Sequence, residues 1–225
     1  MDLQSWDSIK QTSKNNEDIT VSNGKVIINN RSIFHRVVVN ENIPQCDRQG
    51  NILLLHAGCY SSQTWLDHGT MHVMANRGFR TAAIDMPGYG ETGGVKMDTG
   101  DPIDFMKSLI QVLGIPYPII VSPSRSGDLT IPLIIECPEL VRGYVPVSPH
   151  STDKYSAERY RGNQTNALIT YGENDTEAGR VAVANLKNLP NHTAEEFLGA
   201  GHHPYMDNPG QWHQLLLNFI NSLPQ

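Results

Sequence analysis

The sequence predicts an α/β fold with a mostly parallel central sheet and helices on both faces. Three observations carry this. Short, continuously apolar runs recur along the chain, as expected of strands buried on both faces. Between them lie segments with apolar residues at helical spacing, which is how parallel strands are joined by right-handed crossovers. Each changeover falls on glycine, proline or a small polar cluster.

The elements follow in order. Residues 1–18 are polar and read as a flexible arm, and residues 19–225 as one domain. "KVIINNRSIFHRVVV" reads as two strands around the turn pair Asn29-Asn30. "NILLLH" is the first buried strand. "SSQTWLDHGTMHVMANRG" reads as one helix with a serine cap and Gly78 as its stop. "FRTAAIDM" is a strand, "PGYGETGG" a loop, and "DPIDFMKSLIQVLG" a helix opened by Asp-Pro and closed at Gly114. "YPIIVS" is a strand, followed by the helix "SGDLTIPLIIECP", which Pro132 is expected to perturb. "GYVPVS" and "NALITYG" are strands, "EAGRVAVANLKNL" a helix, "TAEEFLG" an edge strand and "PGQWHQLLLNFINSL" a closing amphipathic helix.

Composition excludes several function classes. The chain of 225 residues has 17 Lys+Arg against 23 Asp+Glu, a formal charge of −6, so it lacks the basic footprint of a nucleic-acid or anionic-membrane binder. Three widely spaced cysteines, Cys46, Cys59 and Cys137, do not form a CxxC, which argues against a disulfide framework or zinc site and for a reducing compartment. No apolar signal core or run of roughly 18 residues appears, so a cytoplasmic protein is expected. Sequons at Asn163, Asn174 and Asn191 are then chance matches. His68 and His72 stand four apart on a helix, a metal-ligand spacing, but "HGTMH" lacks the glutamate and third ligand and reads as a surface coincidence.

The informative stretch is "IIVSPSRSGDLT", with Ser122, Ser124 and Ser126 between a strand and a helix. A nucleophile elbow, G-x-S-x-G, needs small residues two before and two after the serine. Only Ser124 has that, flanked by Ser122 and Ser126; Ser126 at the apex would face Asp128, and Ser122 would face Ile120. Both elbow glycines are replaced by serine, which costs strain that glycine avoids; the stretch still favours an elbow, with a plain small-residue turn as the alternative. Support comes from chain order: elbow enzymes place an acid and then a histidine downstream. Asp175 follows the strand "NALITYG", and His202 and His203 follow the last strand in "GAGHHP". An oxyanion hole would use the backbone N–H of Arg125 and, from "HAGCYSS", that of Gly58. The Arg125 side chain either meets an anionic group of a ligand or, the favoured reading, pairs with Asp128 or lies in water. Cys59, His150 and Tyr205 are candidates to line the pocket.

The assembled chain resembles the α/β-hydrolase superfamily and, more closely, the α/β-hydrolase domain-containing protein 14 family. The resemblance rests on "LLLHAG", "SSQTW", "AIDMPGYG", "SPSRSG", "VPVSPHSTDK", "YGEND", "LPNH" and "GAGHHPYMDNPGQWH", from about Gly24 to the C-terminus. That family also carries serines at the elbow. The resemblance implies an α/β-hydrolase fold with Ser124 as nucleophile, Asp175 as acid and His202 as base. His203 departs from the pattern, which has Pro directly after the catalytic histidine. The resemblance to the family's soluble branch further implies hydrolysis of small acyl esters, acetyl transfer from protein lysine to coenzyme A, no required cofactor, a transcription-factor subunit as partner, and nuclear as well as cytoplasmic residence.

Only "PHSTDKYSAERYRGNQT" separates the strand before the usual lid position from the next, so a minimal lid and an open site are expected. A monomeric serine hydrolase or acyltransferase is the expectation. The alternative is a non-catalytic interaction module on a hydrolase scaffold.

Overall fold

In the computed structural model, residues 18–175 and 178–224 are described, so the expected arm lies almost wholly outside the described residues. The chain enters through a long hairpin, β1 (Ile19–Ile28) and β2 (Arg31–Asn40). Its two-residue turn is Asn29-Asn30, with φ of 49° and 62°. Asparagine tolerates this left-handed backbone, and such turns match the twist of the strands.

Six further strands follow: β3 (Gly50–Leu54), β4 (Phe79–Ile84), β5 (Ile119–Pro123), β6 (Gly143–Val147), β7 (Ala167–Gly172) and β8 (His192–Phe197). The eight lie in one sheet in the order β1-β2-β4-β3-β5-β6-β7-β8. β1 pairs with β2, and β2 with β4, antiparallel; every later pairing is parallel. β8 is the edge strand expected from its mixed sequence.

The apolar runs are continuous because the sheet is covered twice. Ile52 and Leu54 of β3, with Ile119 and Val121 of β5, face a core containing Trp65, Met71, Met74, Trp212 and Leu216. Leu53 and Ile120 face the opposite core, with Phe105, Leu109, Leu129, Ile131, Tyr160 and Ala182. Helices α1 (Gln63–Asp67), α2 (Thr70–Ala75) and the C-terminal α8 (Pro209–Ser222) thus cover one face. The other is covered by α3 (Pro102–Val112), α4 (Gly127–Glu136), α5 (Ala157–Arg161) and α6 (Ala178–Leu186). A further short helix, α7 (Pro204–Asp207), was not expected.

The helix start read at Asp101-Pro102 is built as expected. The Asp101 side chain accepts from the N–H groups of Ile103 and Asp104 at 2.9 and 3.0 Å, a cap worth about 1 kcal/mol. α4 runs through Pro132 to Glu136. The helix read over "SSQTWLDHGTMHVMANRG" is instead two, α1 and α2. Gly69 adopts φ 81° and its N–H bonds back to Leu66 O at 3.0 Å, an αL stop in mid-segment. Ser62 does not cap α1 with its side chain; its N–H donates to buried Asp85 at 2.6 Å.

Between β6 and β7 lie one 3-10 turn (Thr152–Lys154) and the five-residue α5, so the lid is minimal. No helix among the described residues is long and apolar enough to cross a membrane. Cys46, Cys59 and Cys137 are free thiols. Asn163 of the first sequon is buried and its amide donates to Ile134 O, so it is not an acceptor for glycan in the folded state.

The core also holds a histidine. His213 on α8 is fully buried. Burial, with the nearby His68, pushes its pKa from 6.5 down to about 3. The unfolded chain therefore takes up this proton first as pH falls, and stability is lost progressively from about 6.5 to about 3. Urea midpoints measured across that range should decline, and His213→Gln should flatten the slope by about one proton.

Candidate active site

β5 ends at Pro123 and the chain turns sharply into α4 through Ser124, Arg125 and Ser126. Ser124 sits at φ 49°, an unfavourable backbone for a residue with a Cβ, costing about 1–3 kcal/mol. Its carbonyl is fixed by the His150 N–H at 2.8 Å.

The elbow serines have a structural reason. Ser122 Oγ lies 3.0 Å from Ser126 Oγ and 2.6 Å from Thr130 Oγ1, and Thr130 Oγ1 lies 2.9 Å from the Tyr144 hydroxyl. Ser126 Oγ also donates to Pro123 O at 2.8 Å. Ser122 and Ser126 thus tie strand to helix beneath the turn where glycines would leave only space. All of these groups are buried, and burial pushes the Tyr144 phenol up to about 12, so it remains a donor. The position that admits no side chain is Gly127, one residue beyond the motif's second glycine: a Cβ there would collide with the His150 backbone.

The structure brings Ser124, His202 and Asp175 together. His202 Nε2 lies 2.9 Å from Ser124 Oγ, and His202 Nδ1 lies 2.7 Å from Asp175 Oδ2. An ionised carboxylate only accepts, so it holds the proton on Nδ1 and leaves Nε2 to accept from the serine. Asp175 is 8% exposed. Burial is the largest influence and pushes its pKa up, but the Ser148 hydroxyl, His202 and the Gly179 N–H together hold it below the usual carboxylate value.

The His202 loop is seated against β7. A Cβ on Gly172 would collide with the carbonyls of Gly201 and Ala200, so this strand end must be glycine. Asn174 N–H donates to Ala200 O at 2.9 Å, and Gly201 N–H to Asp207 at 2.8 Å.

Gly58 lies beside the elbow, where a Cβ would stand 3.4 Å from that of Arg125. Its turn is held by His56, which donates from Nδ1 to Ala57 O at 2.8 Å and accepts the Met86 N–H at Nε2 at 3.0 Å. Burial lowers the His56 pKa, keeping the neutral ring that this pattern requires. Asp85, fully buried, accepts from Ser62 and Glu91 N–H groups and so ties the same loop to "PGYGE". From the sequence the pair His56-Ala57 marks Gly58 as a donor, but neither the tie made by His56 nor that made by Asp85 is read there.

The other candidates divide. His150 lines a cleft of about 720 Å³ together with Arg125, Lys154, Val181, Asp175 and His202. Arg125 pairs with Asp128 at 3.1 Å, the second of its two readings. Tyr205 does not line the cleft: it is fully buried between Trp65 and Trp212, at ring distances of 4.7 and 5.7 Å. Its apolar ring is better satisfied in the core than at an open surface. Cys59 is exposed and lies outside the cleft lining, its sulfur 3.9 Å from His203 Nε2. His68, read as a surface residue, is half-buried and hydrogen-bonded at both ring nitrogens.

Known proteins agree with this architecture. No protein-family model matches the chain. Among solved structures, a CIB-like hydrolase from Thermoplasma acidophilum superposes with a TM-score of 0.79 at 19% identity, over 90% of this chain and 98% of that one. Carboxylesterase CesB from Bacillus subtilis gives 0.72 at 16%, over 96% of each chain. Among curated relatives, zebrafish (Danio rerio) Protein ABHD14A is 37% identical over 175 residues, 76% of this chain and 64% of that protein. Human "Putative protein-lysine deacylase ABHD14B" is 38% identical over 177 residues, 77% of this chain and 84% of that protein. The rat (Rattus norvegicus) protein of the same name is 35% identical over 217 residues, 92% of this chain and 99% of its own. With that identity across almost the full length of a relative, and with the eight-stranded sheet described above, this chain belongs to the ABHD14 family of α/β hydrolases.

Proposed function

We propose that this chain is a serine hydrolase or acyltransferase of small acyl groups, with Ser124 as nucleophile, His202 as base and Asp175 as the orienting acid. The observation that carries the reading is the unbroken hydrogen-bonded chain from Ser124 Oγ through His202 to Asp175, at 2.9 and 2.7 Å.

The chemistry follows from that geometry. His202 Nε2 takes the Ser124 proton as Oγ bonds to the acyl carbon. Asp175 stabilises the imidazolium that results. The N–H groups of Gly58 and Arg125 receive the oxyanion. The bond to the leaving group breaks, and His202 returns its proton to that group. Water, or a thiol such as coenzyme A, then attacks the acyl-enzyme; His202 removes the acceptor's proton and returns one to Ser124 Oγ. No cofactor enters these steps.

The substrate class rests on two supports. The open cleft suits a small acyl group on a large carrier, such as an acylated lysine. The names of the human and rat relatives point to the same class. The test is turnover of acetyl and long-chain esters and of an acetyl-lysine peptide, with and without coenzyme A. Acetyl substrates should be preferred, and the thiol should accelerate turnover and appear as a thioester. A preference for long chains would overturn the substrate class, and no thioester would leave hydrolysis as the reaction.

A further inference from the structure

The loop that carries His202 is pinned on both sides. Before it, the Gly201 N–H is held by Asp207. After it, the Tyr205 carbonyl lies 2.5 Å from His68 Nε2. A carbonyl only accepts, so His68 bears its proton on Nε2. Burial lowers the His68 pKa, so the ring is neutral and its Nδ1 is an acceptor.

That acceptor is filled by Thr70, whose Oγ1 lies 2.9 Å from His68 Nδ1. The same oxygen lies 3.0 Å from His213 Nε2 and 3.3 Å from Trp212 Nε1. A hydroxyl has one proton and two lone pairs. Its proton goes to His68, and the Trp212 N–H can only donate. The contact with His213 is therefore a donation from His213 Nε2–H. With both rings kept neutral by burial, one arrangement satisfies every group around Thr70: both histidines protonated on Nε2.

The network lies in the core, since Thr70, Trp212, His213 and Tyr205 are fully buried. Its output is a backbone carbonyl three residues from His202. Tyr205 cannot adjust by tilting, because its ring is packed between Trp65 and Trp212. His203 bridges the gap, its ring 6.0 Å from that of Tyr205 and 4.7 Å from that of His202.

We propose that His68, Thr70 and His213 form a buried hydrogen-bond relay that positions His202 through the Tyr205 carbonyl. They are positioning residues that touch no substrate. The assignment rests on the role given to His202 above.

Long-range ¹H–¹⁵N spectra of the wild-type chain at pH 7 should show His68 and His213 neutral with the proton on Nε2. A charged ring, or a proton on His68 Nδ1, would overturn the relay whether or not the protein is an enzyme. Thr70→Val keeps the shape and removes the hydroxyl. It should lower kcat on an acetyl ester about 10- to 100-fold with KM unchanged, the scale of a small misplacement of a catalytic group. It should also speed amide exchange at Gly201 and Met206. Thr70→Ser should restore both. A folded Thr70→Val chain with wild-type kcat and exchange would sink the proposal. If Thr70→Val does not fold, His68→Gln and His68→Phe carry the test: the glutamine amide still donates to the Tyr205 carbonyl and should retain activity, the phenyl should not. Equal activity in the two would reject the relay. A wild type without turnover would reject the hydrolase reading, while the spectra and exchange still decide the relay.

Discussion

Ser124→Ala should abolish labelling by a fluorophosphonate probe and lower acetyl-ester kcat by about 10⁶, the loss seen when a triad nucleophile is removed. Ser126→Ala and Ser122→Ala should keep labelling, because their hydroxyls are bonded beneath the elbow and do not face His202. The backbone offers a second signature. Ser124 holds φ 49°, so Ser124→Gly should lose the same activity yet gain about 1 kcal/mol of stability. Urea denaturation of the two variants side by side would show it. A labelled, active Ser124→Ala chain would reject the nucleophile.

Asp175→Asn should lower kcat by about 10⁴ while the chain stays folded. The reason is the proton position. Asp175 Oδ2 faces His202 Nδ1 at 2.7 Å and, as a carboxylate, can only accept. An asparagine that turns its NH₂ toward His202 presents a donor to Nδ1 instead. The imidazole proton then moves to Nε2, which faces Ser124 and can no longer take its proton. Kinetics above and below neutral pH, with the melting temperature as a control for folding, would measure the effect. A variant within tenfold of wild type would mean that Asp175 does not orient His202.

The strands and the order of functional residues were legible because each has a local cause. β3, β5 and β6 carry the buried apolar runs Ile52–Leu54, Ile119–Val121 and Tyr144–Val147, since both sheet faces are covered, and each is visible as an unbroken run. Ser124 could be chosen over its neighbours because the elbow's steric demand falls on positions two before and two after it. His202 and His203 were not separable by local argument; the resemblance selected His202, and the hydrogen bond to Ser124 agrees with it. Other features had no local cause. The segment read as one helix breaks at Gly69, whose isolated glycine carries no sign of its left-handed backbone. Tyr205 was a candidate to line the pocket, but its ring turns into the Trp65 and Trp212 cage.

The α/β class, the sharp turn at Ser124 and the order Ser124, Asp175, His202 along strand ends are readable from the chain alone, because buried strands, tight turns and crossovers each leave a pattern within a few neighbouring residues. Only the tertiary structure decided what supports them: the hydroxyl network of Ser122, Ser126, Thr130 and Tyr144, the loop ties of His56 and Asp85, and the His68–Thr70–His213 chain. These join residues up to 143 positions apart, and a hydrogen bond depends on distance and direction in space, which spacing along the chain does not encode.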